Sequence, residues 1–99
     1  MKELIELIQT YIDNHEDLPI IVGEYEIINI SDEFLSYFVD GCCRAELVRI
    51  DRDEDEGNWY EYKFKYLLNK VDCTGADGEW YELPKSQVRE LQMELNKSI

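Results

Sequence analysis

The first dozen residues place Leu4, Ile5, Leu7, Ile8, Tyr11 and Ile12 three and four positions apart, with Glu3, Glu6, Gln9, Thr10 and Asp13 between them. This spacing predicts an amphipathic helix over about residues 2–14. Acids in its first turn suit the positive end of the helix dipole. The polar run Asn14 to Asp17, followed by Pro19, ends it. Ile20, Ile21 and Val22 then form a β-branched run broken at Gly23, and Tyr25 and Ile27 alternate with Glu24 and Glu26. A strand is expected over about 19–30, with Gly23 marking a bulge or turn.

Residues 31–40 read two ways. Ser31 with Asp32 and Glu33 can open a short helix. Phe34, Leu35, Tyr37, Phe38 and Val39 fit equally well a strand ending at Asp40-Gly41. From Cys43 to Asp51 the pattern is that of a strand. Trp59 to Lys70 is the clearest one, with Tyr60, Tyr62, Phe64, Tyr66 and Leu68 on one face and Trp59, Glu61, Lys63 and Lys65 on the other. Asp51 to Asn58 joins the two as an acidic hairpin tip turning at Gly57. A second turn over 72–78 leads to a short strand at Glu79–Leu83. Pro84 then opens a closing helix carrying Val88, Leu91, Met93 and Leu95, with Lys97 near its end. Consecutive strands on short links flanked by helices predict one α+β domain over residues 1–99. It is an antiparallel sheet of three to four strands with an N-terminal and a C-terminal helix packed on it.

Charge narrows the function classes. Ten Lys and Arg stand against 23 Asp and Glu, a net charge of −13 on 99 residues. A chain so negative repels nucleic acid and anionic lipid, so direct binding to either is not expected. It favours a basic protein as partner. The distribution is uneven: between Lys2 and Arg44 there is no Lys or Arg, but ten acids. The candidate partner-binding residues are the tip acids Asp51, Asp53, Glu54, Asp55 and Glu56, and from the N-terminal half Glu24, Glu26, Asp32 and Glu33. Alternate strand residues lie ~6.7 Å apart, a spacing on which carboxylates can imitate a row of phosphates. A solvated surface serving only solubility is the plainer reading of the same charges.

Other chemistry is weakly marked. Asp51, Asp53 and Asp55 reproduce the start of a calcium-binding EF-hand loop, but Glu56 stands where its glycine belongs and Tyr62 where its last glutamate belongs. Cys42, Cys43, Cys73 and His15 lack zinc-ligand spacing and read as buried thiols and a turn histidine. No phosphate-binding glycine loop or nucleophile signature is present. No enzyme activity, metal or cofactor is expected. Glu3 and Glu6 interrupt any apolar leader after Met1-Lys2, and an odd set of cysteines, two of them adjacent, suits a reducing compartment. The expected location is the cytoplasm.

In size, charge and helix–sheet–helix layout the whole chain resembles the small phage-encoded inhibitors of host defence, the anti-CRISPR and DNA-mimic class. The resemblance carries no shared motif, and no functional residue is mapped through it. It implies an acidic decoy that occupies the cationic nucleic-acid-binding surface of an effector or nuclease in the host cytoplasm. The alternative is an immunity protein or antitoxin that neutralises a basic nuclease toxin, on the logic of barstar-like inhibitors.

Overall fold

Burial follows the predicted periodicities closely, and it decides where each element lies. The computed structural model describes residues 2–97. Helix α1 (Lys2–Asp13) buries Leu4, Ile8 and Ile12. Strands β1 (Tyr25–Phe34), β2 (Tyr37–Asp53), β3 (Gly57–Thr74) and β4 (Trp80–Glu82) follow, then helix α2 (Lys85–Lys97), which buries Val88, Leu91 and Leu95. Met93 points outward. The sheet is antiparallel with spatial order β1-β2-β3-β4.

Both helices cover one face of this sheet. Their buried residues meet Ile28, Ile30 and Phe34 of β1, Val39, Cys43 and Ala45 of β2, and Tyr66, Leu68 and Val71 of β3. Tyr11 closes the α1–β1 contact edge-to-face on Phe34, with ring centroids 5.6 Å apart. Every core residue is apolar; among the described residues no polar or charged one is buried.

Several boundaries differ from the sequence reading. The first strand begins at Tyr25 rather than near 19, because Ile20–Val22 lie in an exposed turn closed by Gly23 at φ 93°. That turn docks on the sheet edge, where Gly23 N–H donates to the Leu47 carbonyl and Leu47 N–H to the Glu24 carbonyl. Residues 31–40 are neither a helix nor one strand. They are the end of β1, a two-residue turn at Leu35-Ser36, and the start of β2. The hairpin tip is shorter than expected: Asp53 pairs with Gly57, leaving Glu54–Glu56 as the turn.

α2 also closes an open sheet edge. Beyond its short pairing with β4, strand β3 would leave backbone groups unpaired. Asn96 accepts from Tyr66 N–H at 2.8 Å and donates to the Tyr66 carbonyl at 3.2 Å. Gln92 accepts from Leu68 N–H at 2.9 Å. The Asn96 amide thus stands in for one residue of a neighbouring strand. Asn96→Ala strands both partly buried groups, at about 1–3 kcal/mol for an unsatisfied donor or acceptor. Urea denaturation of the variant should show a lower midpoint with unchanged slope; an unmoved midpoint would mean that water replaces the amide.

Candidate functional site

β2 and β3 run on past the helices as a two-stranded arm. Leu47 is the last buried residue of β2, and the tip lies six residues beyond it, ~20 Å at strand rise. The molecule is accordingly elongated, 55 × 22 × 21 Å. Along the helix side of the arm Tyr60, Tyr62 and Phe64 stack in series, with centroids 6.4 and 5.9 Å apart. Tyr62 O–H donates to the Pro19 carbonyl at 2.7 Å, tying the arm to the exposed Ile20–Val22 turn. Trp59, on the opposite side of the arm, is 60% exposed.

The nine candidate acids are all exposed, but they do not form one cluster. Asp51, Asp53, Glu54, Asp55 and Glu56 occupy the arm's end. Asp51 is held by Arg49 at 2.6 Å. Asp53 accepts from Asp55 N–H at 2.9 Å, a bond that shapes the turn. Glu24 and Glu26 lie where β1 begins, beside the base of the arm. Asp32 and Glu33 lie at the far end of β1, opposite Val39 and Phe38. From Asp53 to Phe38 is fifteen residues of β2, about 50 Å. The tip and the Asp32–Glu33 pair are therefore at opposite ends of the molecule.

What the fold does gather is a flank. β1 is the edge strand, and α1 packs beside it. These two elements and their connection span residues 2–34, in which nine acids meet a single basic residue, Lys2. Six of the ten Lys and Arg lie on the other side, Lys63, Lys65 and Lys70 on β3 and Lys85, Arg89 and Lys97 on α2, while Arg44 of β2 lies over Tyr25 of β1. Glu24 to Glu33 alone runs ~30 Å along the edge. Apart from Asp51, no candidate acid forms an ion pair with a described Lys or Arg.

The remaining groups sit as follows. An open groove of about 560 Å³ runs between α1 and the end of β1, lined by Leu7, Tyr11, His15, Glu16 and Phe34 among others. His15 accepts from Asp17 N–H through Nδ1 at 3.2 Å, so its ring shapes the turn. Cys43 is buried, Cys42 and Cys73 are half-buried, and all three are free thiols. No group of three or more His, Cys, Asp or Glu among the described residues is arranged to hold a metal ion. Among the described residues no helix is long and apolar enough to cross a membrane.

Ile20–Val22, expected within a strand, instead form an exposed apolar turn at the arm's base. The signal was present: three consecutive apolar residues without alternation, flanked by Pro19 and Gly23. No protein-family model matches this chain, and no curated protein or solved structure is significantly similar to it.

Proposed function

We propose that this chain is a binding inhibitor: an acidic decoy that occupies a cationic nucleic-acid-binding surface on another protein. One observation carries the reading. The elements spanning residues 2–34, α1, the edge strand β1 and their connection, carry nine acids and one Lys, while six of the ten Lys and Arg lie on β3 and α2. A charge needed only for solubility has no reason to be sorted in this way. A negative flank steers a basic partner and supplies the complementary potential its nucleic acid would. The exposed tip supplies a second negative element at the end of the two-stranded arm. That arm favours a second reading, in which the hairpin enters the catalytic cleft of a basic nuclease as an immunity protein does.

Two charge reversals test this and separate the readings. One changes Glu24, Glu26, Asp32 and Glu33 to Lys; the other changes Asp53, Glu54 and Asp55 to Lys. All seven side chains are exposed, so circular dichroism should show the fold retained, at ~0.5 kcal/mol per site and more at Asp32 and Asp53, whose carboxylates accept local backbone bonds. Wild type immobilised in host extract should capture basic nucleic-acid-binding proteins and release them by about 1 M salt, where the Debye length is ~3 Å. The flank reversal should weaken capture about 100-fold or more, since like charges facing across an interface cost several kcal/mol. A larger loss from the tip reversal would favour the cleft-plugging reading. Capture indifferent to salt and to both reversals would defeat them together.

A further inference from the structure

The sheet face turned away from the helices is uncovered by any described element, and its charges are arranged unlike those of the rest of the molecule. Strand alternation places Tyr25, Ile27, Asn29 and Glu33 of β1 on it, with Phe38, Asp40, Cys42, Arg44 and Glu46 of β2. β3 adds Lys63, Lys65, Leu67, Lys70 and Asp72, and β4 adds Trp80 and Glu82. Four bases stand against five acids, a net of −1 on a chain of −13.

The charges are also polarised along the strands. Toward the arm lie Arg44, Lys63 and Lys65 with Glu46 alone against them. Toward the β1–β2 turn lie Glu33, Asp40, Asp72 and Glu82 with Lys70 alone against them. The row between is uncharged: Asn29, Cys42 and Leu67 align across the three strands. Leu67 is 53% exposed there, and neighbouring Ile27 46%.

We propose that this face pairs with the same face of a second copy, about a two-fold axis that crosses the strands at the Cys42 row. The register makes the arrangement self-complementary. Such an axis lays each strand antiparallel on its own copy, so position 44 of β2 meets position 40, and position 63 of β3 meets position 72. Arg44, which holds Glu46 at 3.0 Å within its own chain, then faces Asp40 of the second copy, and Lys63 faces Asp72, which Lys70 holds at 3.5 Å, each twice by symmetry. Leu67 and Ile27 are buried at the centre. Lys65 meets Lys70, the one like-charge match, with Asp40 and Asp72 alongside. Aligned packing of two sheets ~10 Å apart accommodates this geometry. A two-fold axis parallel to the strands would instead set cationic end on cationic end.

The size of the face sets the strength. Three strands ~4.8 Å apart over nine residues of ~3.3 Å make a plate of about 430 Å², hence roughly 900 Å² for two copies. That lies below the ~1,200 Å² of ordinary specific interfaces, so the dimer is weak and reversible. The same symmetry stacks the two β1 edges on one side, doubling the anionic flank and sending the two arms to opposite ends. Of the flank acids tested above only Glu33 lies on the pairing face; otherwise the pairing does not depend on what that flank binds.

Sedimentation equilibrium at about 0.15 M salt, where a Debye length of ~8 Å limits repulsion between the net charges, tests the proposal. Wild type should approach twice the monomer mass at high micromolar concentration. Arg44→Glu with Lys63→Glu, or Asp40→Lys with Asp72→Lys, should each weaken association at least tenfold. An equimolar mixture of the two double variants should recover it, because each supplies the charge the other lost. Leu67→Glu, at an exposed central position away from the ion pairs, should weaken it likewise and guards against misfolding of a double variant. A monomeric wild type, variants that associate as wild type does, or a mixture that fails to associate would each overturn the proposal.

Discussion

Gly41→Ala is expected to destabilise the protein by ~3 kcal/mol, although it adds a single methyl group. Gly41 is buried in β2 at a register shift, where Asp40 pairs with Lys70 but Gly41 pairs with Leu68. A Cβ built there meets the Leu67 carbonyl oxygen and comes within 2.9 Å of Leu68 Cα. Both are backbone atoms of the neighbouring strand, so neither can swing away as a side-chain end would. Relief requires the β2–β3 ladder to part at the bulge, beneath Leu68 and beside Tyr66. For a domain of this size the whole stability is about 5–15 kcal/mol, so the loss takes a large share of it. Urea denaturation at 25 °C reads the effect directly. A midpoint within ~0.5 kcal/mol of wild type would show that the bulge relaxes freely.

Alkaline solution is expected to unfold the protein through Cys43, beginning near pH 9. Burial pushes the Cys43 thiol up from 9.0 to about 12, because the thiolate has no solvent in the core. The sign follows from proton counts. Above pH 9 the unfolded chain releases a proton that the folded chain still holds, so the folded state is progressively disfavoured. The contribution is complete below pH 9 and is lost as pH rises toward about 12, at ~1.4 kcal/mol per pH unit. Tyr66, also raised by burial and lying opposite Cys43, adds a second such loss above its ordinary value of 10. Urea midpoints at about pH 8, 9 and 10 should fall for wild type over the last interval. For Cys43→Ala they should stay level there, the thiol being gone. Parallel profiles for the two proteins would show that Cys43 ionises within the fold.

Much of the architecture was legible because it is local. The three- and four-residue spacing of α1, the alternation of Tyr60 to Leu68, and Pro84 ahead of Val88, Leu91 and Leu95 are each written within one segment. Together they imply the α+β layout, and the structure has it. The misreadings share a cause. The β1–β2 turn carries neither glycine nor asparagine; Leu35 takes the left-handed conformation at φ 55°, which few such residues adopt, so nothing local marked it. Ile20–Val22 look like a strand because β-branched residues favour one, yet Gly23 and the docking of Leu47 hold them in a turn.

The candidate site divides in the same way. Net charge, and the run from Glu3 to Cys43 without a base, are properties of the chain and need no fold. That the segments carrying these acids lie side by side depends on β1 being the edge strand with α1 beside it. That the tip stands ~50 Å from Asp32 and Glu33 depends on how far β2 and β3 pair beyond the helices. The polarity of the open sheet face depends on register, which aligns Asn29, Cys42 and Leu67 from three strands. Sequence by itself determined the elements and the total charge, because periodicity and composition are summed along the chain. Only the tertiary structure decided which charges share a surface, because that is set by pairing between residues far apart in sequence.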